Sequence, residues 1–189
     1  MKINFINVPG LSNSGPTHWQ TIWEEESPTQ FVRVKQHNWE LPDRTDWVFN
    51  LEQLIQVQTV PFMLVAHSLG CLAVAHWAER HYSPLLLGAL LVAPADAERS
   101  PESVLASFAP IPRTPLGFPS TVVASTNDPY MTFPKAADLA ASWGSQLVNI
   151  GAKGHINAAS RLGDWYEGRK LLFRLQHASI AYRRNAVLA

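Results

Sequence analysis

Three things are scarce in this sequence: cysteine, an excess of either charge, and long apolar runs. Its 189 residues include a single cysteine, Cys71, so no internal disulfide can form, which suits a reducing compartment. Fifteen Lys and Arg balance fifteen Asp and Glu, so the chain lacks the broad positive field that attracts nucleic acids and anionic membranes. No apolar run approaches the roughly 20 residues that cross a bilayer, and residues 1–10 lack the pattern of a signal peptide. We therefore expect a cytoplasmic protein with no nucleic-acid or membrane partner.

The composition is that of a packed globular protein. Hydrophobic residues make up 47% of the chain, and seven residues are tryptophan, which is atypical of disordered segments. The length suits one sizeable core, so we predict a single domain over residues 1–189.

Strand-like and helix-like stretches alternate along the chain. Val, Ile, Leu and Phe are enriched in six predicted strands, at 2–8, 31–36, 61–66, 85–93, 119–125 and 145–150. Helices are predicted at 17–27, 43–57, 69–82, 99–108, 134–143 and 160–175. In the second helix, Trp47, Leu51, Leu54 and Ile55 share one face, and Asp43 or Thr45 can cap its start.

This alternation predicts an α/β fold of three layers. The apolar stretch 84–93 shows no polar alternation, which is typical of a central strand covered on both faces. Alternating strands and helices predict a mostly parallel sheet of about six strands with helices on both faces. The stretch 108–120 contains four of the fourteen prolines and is predicted to be irregular, either a loop over a site or a stiff connection.

The sequence AHSLG at 66–70 joins a predicted buried strand to a predicted apolar helix. A sharp turn there would expose the hydroxyl of Ser68 in a strained backbone conformation, and it requires small residues two positions before and after the serine. Ala66 and Gly70 meet this requirement, although the first position of the motif is usually Gly. The alternative is that Ser68 only caps the helix that follows.

A nucleophilic serine needs a histidine base and an acid. Where the serine lies in a strand-to-helix turn of this kind, the acid follows it along the chain and the histidine follows the acid. Six of the seven histidines are set aside by position, which leaves His155, after the last predicted strand and between glycines. Asp128 follows the predicted strand 119–125. Asp96, which follows the predicted strand 85–93, is the rival acid. The shorter separation from His155 favours Asp128, although an Asp before Pro is also a common turn residue.

Backbone amides are the expected donors to the oxyanion. The amide of Leu69 begins the helix after Ser68, where the helix dipole favours negative charge. The loop after the first strand supplies the second donor, for which Gly10 permits a tight turn before the amide of Leu11. An ordinary surface loop of Gly, Ser, Asn and Pro is the alternative.

These pieces together resemble the retinoblastoma-binding-protein-9-like, or YdeN-type, serine hydrolases, a compact branch of the α/β-hydrolases. The resemblance spans nearly the whole chain, through VPG and HW near the start and then HSLG, NDP and GH. It implies Ser68 as nucleophile, Asp128 as acid and His155 as base. The L-x-C-x-E motif behind the retinoblastoma link of some members is absent, so no pocket protein is expected as a partner.

The expected reaction is hydrolysis of a small ester, or less readily an amide, through an acyl-enzyme. Cys/His clusters with zinc spacing are missing, and neither a metal nor an organic cofactor is expected. Because the chain leaves no room for a separate lid domain, we expect short acyl groups, with Trp19, Phe108 and Phe118 as candidates for an apolar wall. A ligand- or protein-binding module of the same fold is the alternative, and lyase or perhydrolase chemistry on the same three residues is a third possibility.

Overall fold

Six parallel strands form the sheet of the computed structural model, which describes residues 2–99 and 103–188, with side chains as far as residue 184. All six predicted strands are confirmed, and in space they follow the order β2-β1-β3-β4-β5-β6. Their bounds are β1 Asn4–Val8, β2 Phe31–Arg33, β3 Phe62–His67, β4 Leu86–Val92, β5 Ser120–Ala124 and β6 Gln146–Asn149. Every adjacent pair is parallel, so the carboxyl ends of the strands meet at one edge, where ligands bind in open sheets of this kind.

Five α-helices among the described residues cover the two faces of the sheet. Their bounds are α1 Trp19–Glu26, α2 Arg44–Gln56, α3 Leu69–Ala78, α4 Phe133–Ser142 and α5 Tyr166–Leu188. Side chains of α2, α3 and α4 pack in one apolar core, while those of α1 and α5 pack in a second. Because β3 and β4 are buried along their whole length, they lie at the centre of the three predicted layers.

Local sequence explains where the helices begin. The carboxylate of Asp43 accepts a hydrogen bond from the amide of Asp46 and caps α2. Trp47, Leu51 and Ile55 are buried on the predicted face of that helix. Thr132 caps α4 in the same manner.

Two predicted helices differ from the structure. Within 99–108, residues 100–102 lie outside the described part, and the remainder forms only the short 3-10 turn Ala106–Phe108, so that prediction is wrong over the described residues. The predicted helix at 160–175 is shifted, because a 3-10 turn, Ala158–Ser160, precedes α5, which starts at Tyr166. Trp165 adopts a φ of 44° immediately before α5, and this left-handed residue ends the loop.

The proline-rich stretch 108–120 is irregular, as predicted, up to the start of β5. Leu116 donates its amide to the carbonyl of Trp143 at 3.1 Å, and the indole of Trp143 donates to the carbonyl of Pro112 at 2.8 Å. The stretch is therefore a connection packed against the end of α4. Within residues 2–99 and 103–188, none of the helices has the length and apolarity needed to cross a membrane.

Candidate active site

Ser68 occupies the turn between β3 and α3 in a conformation that few residues adopt. Its φ of 53° and ψ of −120° lie outside the regions favoured by residues with a side chain. The turn is held because the amide of Ser68 donates to the carbonyl of Val92 at 2.9 Å. The hydroxyl makes no capping bond to α3, so helix capping does not explain this serine.

Close packing between the end of β1 and the turn at Ser68 requires glycine at positions 10 and 70. A Cβ on Gly70 would lie 2.0 Å from the carbonyl oxygen of Val8, so α3 starts directly against β1. A Cβ on Gly10 would lie 2.7 Å from the Cβ of Ser68 and 3.1 Å from the nitrogen of Leu69. The crowding that excludes a side chain at Gly70 therefore comes from the backbone of β1, a source that the sequence argument did not identify.

Ser68, His155 and Asp128 form a continuous chain of hydrogen bonds. His155 Nε2 lies 2.8 Å from Ser68 Oγ, and His155 Nδ1 lies 2.8 Å and 3.0 Å from the two carboxylate oxygens of Asp128. Because the carboxylate can only accept, Nδ1 carries the ring proton and Nε2 accepts from the serine hydroxyl. The side chains of His155 and Asp128 are 7% and 3% exposed, so bulk water competes little for these bonds.

Hydrogen bonds between two loops hold the acid and the histidine in register. The side chain of Asn127 accepts from the amide of Gly154 at 2.7 Å, and the hydroxyl of Ser125 accepts from the amide of Lys153 at 2.9 Å. These bonds join the loop after β5 to the loop that carries His155. The amide of Tyr130 also donates to Asp128 at 2.9 Å, which fixes the carboxylate orientation.

Asp96, the rival acid, has a different partner. It lies beside the same cavity as Ser68, but its Oδ1 binds Lys135 Nζ at 2.5 Å and accepts from the amide of Glu98 at 3.0 Å. The structure therefore brings Asp128, and not Asp96, to the imidazole of His155.

The two predicted oxyanion donors lie on adjoining segments. Leu69 is the first residue of α3, where an amide has no acceptor within its own helix. Within the described part of the chain, the amide of Leu11 also has no hydrogen-bond acceptor. Because a Cβ on Gly10 would clash with Ser68 and crowd the nitrogen of Leu69, the loop that contains Leu11 runs close to the nucleophile.

A cavity of about 610 Å³ opens beside Ser68 and His155. The apolar residues that line it are Leu11, Ala95, Leu105 and Ala158. The polar and charged side chains of its wall belong to Ser12, Asn13, His18, His67, Ser68, Asp96, Arg99, Ser103, Tyr130, His155 and Asn157.

The three aromatic residues predicted as an apolar wall do not line this cavity. Trp19 is 1% exposed, and its indole donates to the carbonyl of Ile156 at 2.8 Å. Phe108 is fully buried and packs edge-on against Trp47, whereas Phe118 packs near Trp77. All three pack elsewhere, so the prediction of an aromatic wall is wrong.

Two histidines that the sequence argument set aside lie in the site. His67 Nε2 donates to the backbone carbonyl of His155 at 2.9 Å, which ties the residue before the nucleophile to the loop of the base. Burial lowers the pKa of His67, and the charges of His18 and His155 lower it further. His18 lines the cavity as well. The sequence offered one signal that His18 belongs to the site: it lies in the loop after β1, which was predicted to supply an oxyanion donor.

Cys71 lies one turn into α3 and is fully buried. Burial raises the pKa of its thiol well above the usual range, so the sulfur stays protonated. The geometry therefore indicates a small core residue and not a reactive thiol.

Comparisons with known proteins find similar sequences and structures. The family model described as serine hydrolase matches residues 5–174. A protein described as a YdeN-like hydrolase from Pectobacterium atrosepticum is 35% identical, with a TM-score of 0.85 over 94% of this chain and 92% of that one. No curated protein sequence matches the chain.

More distant structures share the fold. The ydeN gene product of Bacillus subtilis is 22% identical, with a TM-score of 0.74 over 96% of this chain and 100% of that one. The mouse α/β hydrolase domain-containing protein 10 is 15% identical, with a TM-score of 0.65 over 95% of this chain and 90% of that one. The three-layer α/β-hydrolase fold and the resemblance to the YdeN-type branch are both confirmed.

Proposed function

The chain belongs to the serine hydrolase family, and from that premise we propose that it hydrolyses small carboxylic esters through an acyl-enzyme on Ser68. The observation that carries the proposal is the chain of hydrogen bonds from Ser68 through His155 to Asp128, with the serine at a strained turn. A serine hydroxyl becomes a nucleophile when an oriented base accepts its proton.

In the first half of the proposed reaction, Ser68 Oγ attacks the ester carbonyl as its proton passes to His155 Nε2. Asp128 holds the imidazole in the required tautomer and stabilises the charged ring that forms. The amides of Leu11 and Leu69 donate to the oxyanion, and one such donor contributes about 3 kcal/mol in well-studied enzymes. Collapse of the tetrahedral intermediate breaks the bond to the leaving oxygen, which takes the proton from His155.

In the second half, water attacks the acyl group on Ser68. His155 accepts a proton from the water and returns it to Ser68 Oγ as the carboxylic acid leaves. The preference for esters over amides follows from the leaving group, because an alcohol departs more readily than an amine.

Replacement of the nucleophile tests this proposal. We expect Ser68→Ala to lower the hydrolysis of a p-nitrophenyl ester of a short acid by about 10⁴-fold or more, as when members of a triad are removed elsewhere. Circular dichroism would check that the variant is folded. Activity that persists in Ser68→Ala would refute the assignment of the nucleophile.

A fluorophosphonate probe separates the hydrolase from a binding module of the same fold. The probe should label the intact protein, and mass spectrometry of its peptides should place the adduct on Ser68. Ser142→Ala is a matched control, because Ser142 is a half-buried serine at the end of α4 whose hydroxyl donates to the carbonyl of Asp138, and it should label as the intact protein does. Folded protein that fails to react would favour the binding module.

A further inference from the structure

Tyr130 is an exposed aromatic residue beside the nucleophile. It lines the cavity of about 610 Å³ together with Ser68 and His155. Among the described residues that line this cavity, Tyr130 alone is a Phe, Tyr or Trp. The residue is 56% exposed, and so much surface on a tyrosine belongs largely to its ring. Unlike the three buried aromatic residues that were predicted as a wall, this ring is accessible to a bound molecule.

The ring of Tyr130 packs against the imidazole of the proposed base. The two ring centroids are 4.7 Å apart and the ring planes are inclined by 71°, which is an edge-to-face contact. One such contact covers at most one face of the phenol ring. Tyr130 also lines a second cavity of about 470 Å³, together with Lys153 and His155. Open space therefore adjoins this residue in two cavities.

Proton transfer determines which part of an ester lies near this pair of rings. In the proposed reaction His155 Nε2 gives its proton to the leaving oxygen, so that oxygen must come within about 3 Å of Nε2. Nε2 lies 2.8 Å from Ser68 Oγ, and Tyr130 lines the cavity that contains both residues. The first atoms of the alcohol part therefore lie in the space that Tyr130 borders. The acyl part leaves the reacting carbon in another direction.

We propose that Tyr130 is a substrate-binding residue that packs against the alcohol part of the ester, and that the preferred alcohols carry an aromatic ring. The inference rests on the proposed ester hydrolysis and adds the class of alcohol. A phenol ring with an accessible face suits a flat apolar group, and pairs of aromatic rings gain more than the burial of their area alone. The amides of Leu11 and Leu69 remain assigned to the reacting carbonyl.

Two substitutions at Tyr130 isolate the ring. Tyr130→Phe keeps the ring and removes only the hydroxyl, whereas Tyr130→Ala removes both. The hydrogen bond from residue 130 to Asp128 comes from the backbone amide, so both variants retain it. If the ring served only to hold the imidazole of His155, its removal would slow the hydrolysis of every ester by the same factor.

Two isomeric esters provide the measurement. Benzyl acetate and methyl phenylacetate contain the same atoms, but the aromatic ring belongs to the alcohol part of the first and to the acyl part of the second. Methyl acetate is the reference for both. The quantities compared are the alcohol ratio, which is kcat/KM for benzyl acetate over that for methyl acetate, and the acyl ratio, which is the same quotient for methyl phenylacetate. The intrinsic reactivity of each ester cancels when variants are compared with the intact protein.

We expect Tyr130→Ala to lower the alcohol ratio about five- to tenfold, the loss expected for an aromatic contact, and to keep the acyl ratio within about twofold of that of the intact protein. Tyr130→Phe should keep both ratios within about twofold. Tyr166→Ala is a matched control, because Tyr166 is 61% exposed at the start of α5 and lines neither cavity. It should leave both ratios as they are. Circular dichroism of all three variants would accompany the kinetics.

The outcomes distinguish this inference from the function on which it rests. If the intact protein hydrolyses the esters and Tyr130→Ala leaves the alcohol ratio unchanged, the role of Tyr130 in substrate binding is refuted and ester hydrolysis stands. An equal fall of the alcohol and acyl ratios would also refute it, because the ring would then not distinguish the alcohol part. If the intact protein hydrolyses none of the esters, both proposals fail.

Discussion

The loops after β4 and β5 each bring an aspartate to the same edge of the sheet, but the two carboxylates have different partners. Asp128, after β5, accepts from the imidazole of His155 and from the amide of Tyr130. Asp96, after β4, binds the ammonium group of Lys135. The partner decides what each carboxylate can do, because an imidazole can pass a proton between reacting groups, whereas a lysine ammonium paired with carboxylates acts as a fixed charge.

The surroundings of the two aspartates reinforce this difference. The loop of Asp128 is tied to the loop of His155 by hydrogen bonds from backbone amides to the side chains of Ser125 and Asn127, which fix a pair of groups that must stay aligned. Around Asp96 lies a charge cluster, which we define as Asp96, Glu98, Arg113 and Lys135. Glu98 binds both cations, with distances of 3.0 Å to Lys135 and 3.3 Å to Arg113. The cluster joins the loop after β4 to α4, so its role is structural.

Removing the charge of Asp128 gives the largest effect expected from this comparison. Asp128→Asn should lower ester turnover by about 10⁴-fold, as in the best-known precedent, because the side-chain N–H of Asn can donate to His155 Nδ1 and favour the wrong tautomer, and its neutral amide does not stabilise the charged ring. The measurement is kcat on one activated short-chain ester, with circular dichroism to confirm folding. A loss of less than about tenfold would show that Asp128 is not the acid of a working triad.

Strand and helix patterns predict most of this fold because they depend on short stretches of sequence. The buried strands β3 and β4, the capped helix α2 and the irregular stretch 108–120 all follow from local composition. The predicted helix at 99–108 is wrong where it can be judged, and the local pattern could not show why. Glu98 accepts the amide of Ile111 at 2.9 Å, a contact between residues thirteen apart that favours a loop over a helix.

The order of serine, acid and histidine along the chain made part of the candidate site predictable. Ser68, Asp128 and His155 follow from the turn motif and from the order of acid and base, and the structure places them within hydrogen-bond distance. The aromatic wall could not be predicted, because the burial of Trp19 depends on Ile156, far along the chain. His18 was set aside because it precedes Ser68 in the chain, and its place beside the cavity depends on packing between distant segments.

Acidification should weaken the charge cluster when Glu98 is protonated. Burial of Glu98 alone would raise its pKa, but the amide of Ile111 and the charges of Lys135 and Arg113 outweigh it and lower the pKa below the ordinary 4.5. The cluster therefore stabilises the fold fully above pH 4.5, and this contribution is lost as the pH falls through the lowered pKa of Glu98.

Thermal unfolding as a function of pH measures this contribution. Glu98→Gln should lower Tm by about 2 °C at pH 7, and the difference from the intact protein should shrink as the pH falls below 4.5. Glu25→Gln is a matched control, because Glu25 is an exposed carboxylate on α1, and its Tm should follow that of the intact protein. A difference for Glu98→Gln that grows on acidification would contradict the sign of the pKa shift.

Asp96→Asn should have the smallest effect on turnover, although Asp96 lies in the cavity wall. Its carboxylate compensates the charge of Lys135, which keeps Glu98 as a partner after the substitution, and Asn can still accept from the amide of Glu98. Because no step of the proposed reaction uses Asp96, we expect kcat on the ester used for Asp128→Asn to change by less than about threefold. The two variants form a matched pair, with the same substitution at neighbouring strand ends. If Asp96→Asn lost more activity than Asp128→Asn, the acid would have to be reassigned to the loop after β4, and the hydrogen bond between His155 and Asp128 would be a structural contact only.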